Sequence, residues 1–180
     1  MHIHDFDALR WVTGREVVEV YAVGAARGHE VFAASGDVDE QTAVLTLDDG
    51  TLATVQGSRH NGAGYDVRME LAGTDDTLVV GLDERVPLRS AEPGVAFPHQ
   101  PSWPGFWDRF TPAYVAEMTA FVAMARGEAP SPCTVDEALA ALLVAEAADR
   151  SRREHRAVRV AEIAEAVAPQ AVSTLQEAGA

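Results

Sequence analysis

Apolar and polar positions change period several times along the chain, and each change marks an element. Over residues 5–13, Phe6, Leu9 and Trp11 offer an apolar side. Gly14 stands where a helix terminus wants a left-handed residue, so the pattern predicts a short helix. Residues 16–23 alternate and carry β-branched side chains, which predicts a strand. Residues 24–37, rich in Gly, Ala and Ser, read as a loop. A meander follows. Residues 42–47 and 51–59 flank Asp48-Asp49-Gly50, a hairpin turn. Over 65–71, Tyr65, Val67, Met69 and Leu71 alternate with Asp66, Arg68 and Glu70. The turn Gly73-Thr74-Asp75-Asp76 leads into a strand at 77–82, and another is predicted at 86–90. The count is about six antiparallel strands in one open sheet.

Pro93, Pro98, Pro101 and Pro104 interrupt residues 91–110, where Phe97, Trp103, Phe106, Trp107 and Phe110 also cluster. A structureless stretch of this length is functional or pressed against something. Its aromatics either plug the end of the sheet or meet a substrate or subunit. Thr111 with Pro112 then reads as the cap and first turn of a helix. Met118, Phe121, Val122 and Ala125 recur along it at helical spacing up to Gly127. After Pro130-Ser131-Pro132, Thr134 and Glu137 form a capping box. It opens a helix predicted to bury Leu139, Leu142 and Leu143. Arg150, Arg152, Arg153, Glu154 and His155 sit near its end, where cations complement the helix dipole. Residues 157–160 predict a short strand, 161–168 a last helical turn or two, and 169–180 a small, polar, loose tail. The fold class is α+β: an open, predominantly antiparallel sheet with helices packed on one face, one domain over 1–168.

Composition narrows function by exclusion. A chain of 180 residues suits one domain with a core of its own. Its net charge of −14 opposes nucleic-acid binding, which needs a basic face. No apolar run approaches the roughly 20 residues that span a bilayer, and no basic-then-apolar leader is visible. The single cysteine, Cys133, excludes an internal disulfide and fits a reducing cytoplasm. Every basic residue is arginine, so chemistry that needs a lysine amine cannot come from this chain. The glycine-rich run from Gly57 to Gly64 lacks G-x-G-x-x-G spacing and precedes no helical pattern, so no cofactor is expected in this chain. His2 and His4 could meet one ion, but two ligands without C-x-x-C or H-E-x-x-H are too few for a metal site.

The order of short motifs then matters more than any one of them. I-H-D-F-D-A-L-R-W (3–11) is followed by G-Y-D-V-R-M-E (64–70) and F-T-P-A-Y-V-A-E (110–117). The series closes with Ser131-Pro132, Asp136, the Ala147-Ala148 and Ser151 pattern, and R-A-V at 156–158. Together these resemble the C-terminal domain of the glucose–fructose oxidoreductase/inositol dehydrogenase/rhizopine catabolism superfamily, above all inositol 2-dehydrogenases, from Met1 to about Ile163.

The resemblance implies a two-part NAD- or NADP-dependent polyol or sugar dehydrogenase. An N-terminal Rossmann domain binds the nucleotide, and the C-terminal part closes the substrate site and uses its bare sheet face for oligomers. It also implies a histidine, in the pattern D-x-x-x-H, that takes the substrate hydroxyl's proton. That histidine falls on His4, a residue type suited to proton exchange near neutral pH, and its aspartate would lie immediately before Met1. Locally, His4 reads equally as a helix-start histidine making nearby hydrogen bonds. By the same resemblance Tyr65 reaches the substrate, the alternative being simple packing on its alternating face, and His2 lies beside the pocket; His60 and Asn61, just upstream of Tyr65, could line the same pocket. Asp7 and Arg10 are expected to brace the helix as an i,i+3 ion pair. Two expectations follow: a dehydrogenase shortened before its Rossmann domain and inactive alone, or a free-standing oligomerisation or partner-binding module of the same fold.

Overall fold

The computed structural model describes residues 2–166. The chain forms two compact units, Met1–Arg59 with Cys133–Ala180, and His60–Pro132. The predicted tail at 169–180, and the end of the helix expected over 161–168, lie outside the described residues; residues 160–166 are helical.

In the first unit, α1 (Ile3–Thr13) ends on Gly14 at φ 62°, and the Gly14 N–H bonds the carbonyl of Arg10. A side chain in that left-handed conformation would be strained, which is why glycine stops the helix there. Strand β1 (Val17–Ala25) follows, then β2 (Glu40–Leu47) and β3 (Leu52–Ser58). With β6 (Val158–Arg159) they form an antiparallel sheet in the order β3-β2-β1-β6. A register shift between Val17 and Glu19 lets Val17 and Val20, three residues apart, both face inward. Val20 opposes Leu45 and Ala22 opposes Ala43, and all four are buried.

Helix α4 (Val135–Glu154) opens with the expected capping box, Thr134 accepting from the Glu137 N–H and Glu137 accepting from the Thr134 N–H. The buried stripe, however, is Ala141, Val144, Ala147, Ala148 and Ser151, while Leu139 and Leu142 are each 47% exposed. Small side chains let the helix axis lie close to the sheet; the leucines would hold it away. The core joins α1 through Phe6 and Leu9, the sheet, α4 and Ile163. Ser151 completes it as a polar clasp. Its hydroxyl accepts from the Ala22 N–H at 2.9 Å and donates to the Arg156 carbonyl, satisfying a strand group beyond the short reach of β6. The opposite sheet face stays open, with Tyr21, Val23 and Val44 each more than 40% exposed.

Other expectations are corrected as well. Residues 24–37 contain a short helix, α2 (Glu30–Ala34). The buried carboxylate of Asp39 organises the turn before it, accepting the N–H groups of Arg27, Gly28 and His29. The single open sheet is instead two, this four-stranded sheet and a two-stranded one, β4 (Met69–Ala72) with β5 (Thr77–Val80). No strand forms at 86–90, where Val86 and Pro87 are buried in irregular chain. Proline cannot donate to a ladder.

In the second unit, α3 (Phe106–Ala125) begins at the Gly105 cap, one and a half turns before the expected Thr111, and carries Pro112 inside it. The Thr111 hydroxyl turns back to the Trp107 carbonyl instead of capping. None of the α3 side chains is buried.

The end of α4 carries a charge network with a pH signature. The Arg156 guanidinium, and then the Arg159 N–H, hold the Glu162 carboxylate down to about 2, below the 4.5 of a free glutamate. Arg150 and Arg156 lower Glu154 in the same direction. Folding therefore favours the deprotonated carboxylates. Their contribution is complete above pH 4.5 and is lost as pH falls toward 2. Thermal unfolding followed by circular dichroism should show the melting temperature falling across that window. In Glu162→Gln the fall should be shallower; an unchanged fall would remove Glu162 from the network's acid response.

Candidate functional site

Helix α1 is anchored on one side and open on the other. Phe6 and Leu9 are buried, whereas His4 in the first turn is exposed. Arg10 holds the helix in place. Its guanidinium meets both oxygens of Glu16 at 2.7 Å and the Glu137 carbonyl at 3.2 Å, tying α1 to the approach to β1 and to the first turn of α4. Asp7, the expected i,i+3 partner, is more distant at 3.8 Å. The hydrogen bond to Glu16 raises Arg10 above its ordinary value, and the same bond lowers Glu16.

His2 occupies the cap position of α1 but makes no side-chain cap bond. It is buried at 6% exposure, with Nδ1 2.9 Å from an Asp5 oxygen. Its Nε2 is buried without a hydrogen-bond partner among the described residues. The ring lies over Gly57 of β3, where a Cβ would overlap it. His2 and His4 are therefore different in kind: one packed and oriented by Asp5, the other presented outward. The sequence motifs contain Asp5 and Gly57 without assigning either a role beside His2. The i,i+3 spacing from His2 could have indicated Asp5; nothing local signals Gly57, because its role depends on a helix end crossing a strand.

The second unit holds Tyr65, His60 and Asn61. Asn61 builds the turn that delivers Tyr65, its side-chain oxygen accepting from the Ala63 N–H at 3.0 Å and its carbonyl from Gly64 at 3.2 Å. The Tyr65 N–H bonds the Trp103 carbonyl at 2.9 Å. Its half-buried ring meets the Phe110 ring edge-on, 6.0 Å between centroids, and lies 6.4 Å from Phe106. His60 is exposed. The aromatics of 91–110 are partly fastened within this unit: Arg85 covers Trp103 at 3.9 Å, and the indole N–H donates to Asp83 at 3.2 Å. An open apolar groove runs along α3 beside Trp107, Tyr114, Met118 and Val122, and none of the selected site residues lines it.

Among the described residues no three His, Cys, Asp or Glu side chains are grouped to hold a metal ion, and no helix is long and apolar enough to cross a membrane. A dinucleotide pyrophosphate is commonly held by a glycine-rich turn that opens a helix, whereas the Gly57–Gly64 run passes into irregular chain at 65–68. The chemistry this arrangement offers is an outward imidazole on a braced helix.

Residues 1–79 match the GFO/IDH/MocA C-terminal domain. Among similar proteins, the myo-inositol dehydrogenase Hyg17 of Streptomyces leeuwenhoekii is 42% identical over 151 residues, covering 83% of this chain and 45% of that protein. The myo-inositol 2-dehydrogenase of Thermotoga maritima is 31% identical over 172 residues, covering 91% of this chain and 48% of that protein. Among solved structures, the scyllo-inositol dehydrogenase of Lactobacillus casei with bound NAD(H) and scyllo-inositol superposes with a TM-score of 0.77 at 28% identity. That match covers 89% of this chain and 47% of the other. The chain thus spans about half the length of the relatives it matches. On fold, motif order and these likenesses together, the chain belongs to the GFO/IDH/MocA family, as a C-terminal domain of the inositol dehydrogenase kind.

Proposed function

We propose that this chain is the substrate side of an NAD(P)-dependent dehydrogenase of cyclic polyols, with His4 as the base. The observation that carries the reading is the exposed His4 imidazole on the first turn of α1, a helix that Arg10 clamps to the approach to β1 and to α4. Oxidation of a secondary alcohol breaks two bonds at one carbon centre. His4 takes the hydroxyl proton as the carbonyl forms, and the carbon's hydride leaves with its electron pair. Nicotinamide, when bound by a nucleotide-binding part, accepts that hydride. Tyr65, His2, His60 and Asn61 are the proposed substrate contacts. For His2 the packed ring limits the contact to a donor that can reach its bare Nε2. The open face of the sheet, with Tyr21, Val23 and Val44, is suited to burial against a second copy.

The test joins this chain in frame to the part of Hyg17 that lies outside its matched segment. The fused enzyme should reduce NAD in the presence of myo-inositol or scyllo-inositol, followed at 340 nm, while this chain alone should not. A fused protein that binds NAD and oxidises no cyclic polyol would overturn the reading and favour a non-catalytic module.

A further inference from the structure

Tyr65 stands in a stretch of chain with no ladder of its own. Residues 64–68 belong to neither helix nor strand, so their backbone groups find partners outside the stretch. The Trp103 carbonyl takes the Tyr65 N–H at 2.9 Å. Two residues on, the Val67 carbonyl accepts from the Arg109 guanidinium, which projects from the first turn of α3. A hydrogen bond from a charged donor is about twice as strong as a neutral one, so the Arg109 bond is the firmer of the two.

The neighbours of Arg109 make room for that bond and connect it to the tyrosine ring. At Gly81, φ +86°, a Cβ would overlap both the guanidinium and the Val67 oxygen. The guanidinium carbon lies 5.2 Å from the centre of the Phe110 ring. That same ring meets Tyr65 edge-on. Phe106, Arg109 and Phe110 (i, i+3, i+4) thus share one face of α3 and all bear on Tyr65–Val67, two through their rings and one through a hydrogen bond.

We infer that Arg109 is a positioning residue for the substrate contact. By fixing the Val67 carbonyl and backing Phe110, it sets where the Tyr65 ring stands, and so how tightly a cyclic polyol is held. The inference rests on the proposed role of Tyr65. A brace that merely stabilised α3 would change the melting temperature and leave the KM of the folded enzyme alone.

In this chain by itself, labelled with 3-fluorotyrosine, Tyr65→Phe assigns the Tyr65 fluorine resonance among those of Tyr21, Tyr65 and Tyr114. Arg109→Met keeps an unbranched stem and loses the donors. It should move the Tyr65 line toward the position of free fluorotyrosine and leave the Tyr21 line in place. Arg109→Lys, which retains a charged donor, should hold the Tyr65 line nearer to wild type. In the fused enzyme described above, with myo-inositol as substrate, Arg109→Met should raise KM about fivefold, the effect of one lost hydrogen bond. The kcat should stay within about twofold of wild type. Made on top of Tyr65→Phe, the same change should add less than about twofold to KM, because the contact it positions is already gone. Arg109→Gln, too short to reach the carbonyl, supplies the same cycle if the methionine variant does not fold. A stationary Tyr65 line, or KM effects that multiply in the double variant, would overturn Arg109 as a positioning residue while leaving the polyol reading standing. A Tyr65 line that moves as expected, with a fused enzyme that oxidises no cyclic polyol, would keep the link from Arg109 to Tyr65 and overturn the polyol reading.

Discussion

In the fused enzyme, His4→Gln is expected to lower kcat by about 10²–10⁴-fold, the range for removal of a general base, with KM for the cyclitol changed by less than about threefold. The argument is geometric. His4 is exposed in the first turn of α1, while the fold is held by Phe6, Leu9 and the Arg10 clamp. Exchange for glutamine removes no core contact. It keeps a hydrogen-bonding side chain of similar length that cannot take a proton at physiological pH. The pH–rate profile separates a base from a bystander. A pH-dependent limb of the wild-type kcat should be missing from His4→Gln. A variant with wild-type kcat and the same profile would remove His4 from the chemistry and leave it as a helix-start histidine.

The second large effect concerns the fold. Asp39→Ala is expected to destabilise the protein by about 3 kcal/mol. Its fully buried carboxylate is the shared acceptor for the N–H groups of Arg27, Gly28 and His29, and its own N–H and carbonyl bond Ala25 and Arg59. A charge-assisted hydrogen bond contributes about 1.5–3 kcal/mol, and a stranded buried donor costs about 1–3 kcal/mol. Residues 27–29 are themselves exposed, so water can replace part of what is lost, which holds the total for three bonds near the upper end of the range for one. At about 2–4 °C per kcal/mol for a chain of this size, the melting temperature should fall by about 6–12 °C. Asp39→Asn keeps the shape but turns an NH₂ donor toward N–H donors, so it should recover little. A melting temperature within about 2 °C of wild type for the alanine variant would show that this turn does not depend on Asp39.

Features set by neighbours in the chain were readable in advance. Gly14 as the stop of α1, the Asp48-Asp49-Gly50 turn between β2 and β3, and the Thr134–Glu137 box each depend on a few adjacent residues and the backbone geometry they permit. Features that depend on remote partners were not. The α4 stripe was read from its leucines, because a hydropathy pattern weights large side chains, whereas approach to a sheet selects small ones. Thr111-Pro112 has the composition of a helix start, yet the preceding aromatic turn from Phe106 to Phe110 is helical and places the proline inside α3. The short helix at Glu30–Ala34 follows a turn held by Asp39, a residue beyond the helix in sequence and invisible to a local window.

The site divides in the same way. Sequence alone determined that His4 lies at the start of a helix, that a chain without lysine offers no lysine amine, and that motif order resembles the GFO/IDH/MocA C-terminal domain. Only the tertiary structure decided which histidine faces outward. His2 and His4 are two residues apart and chemically identical, but a helix turns about 200° between them. One ring is thereby carried onto Gly57 and the other into solvent.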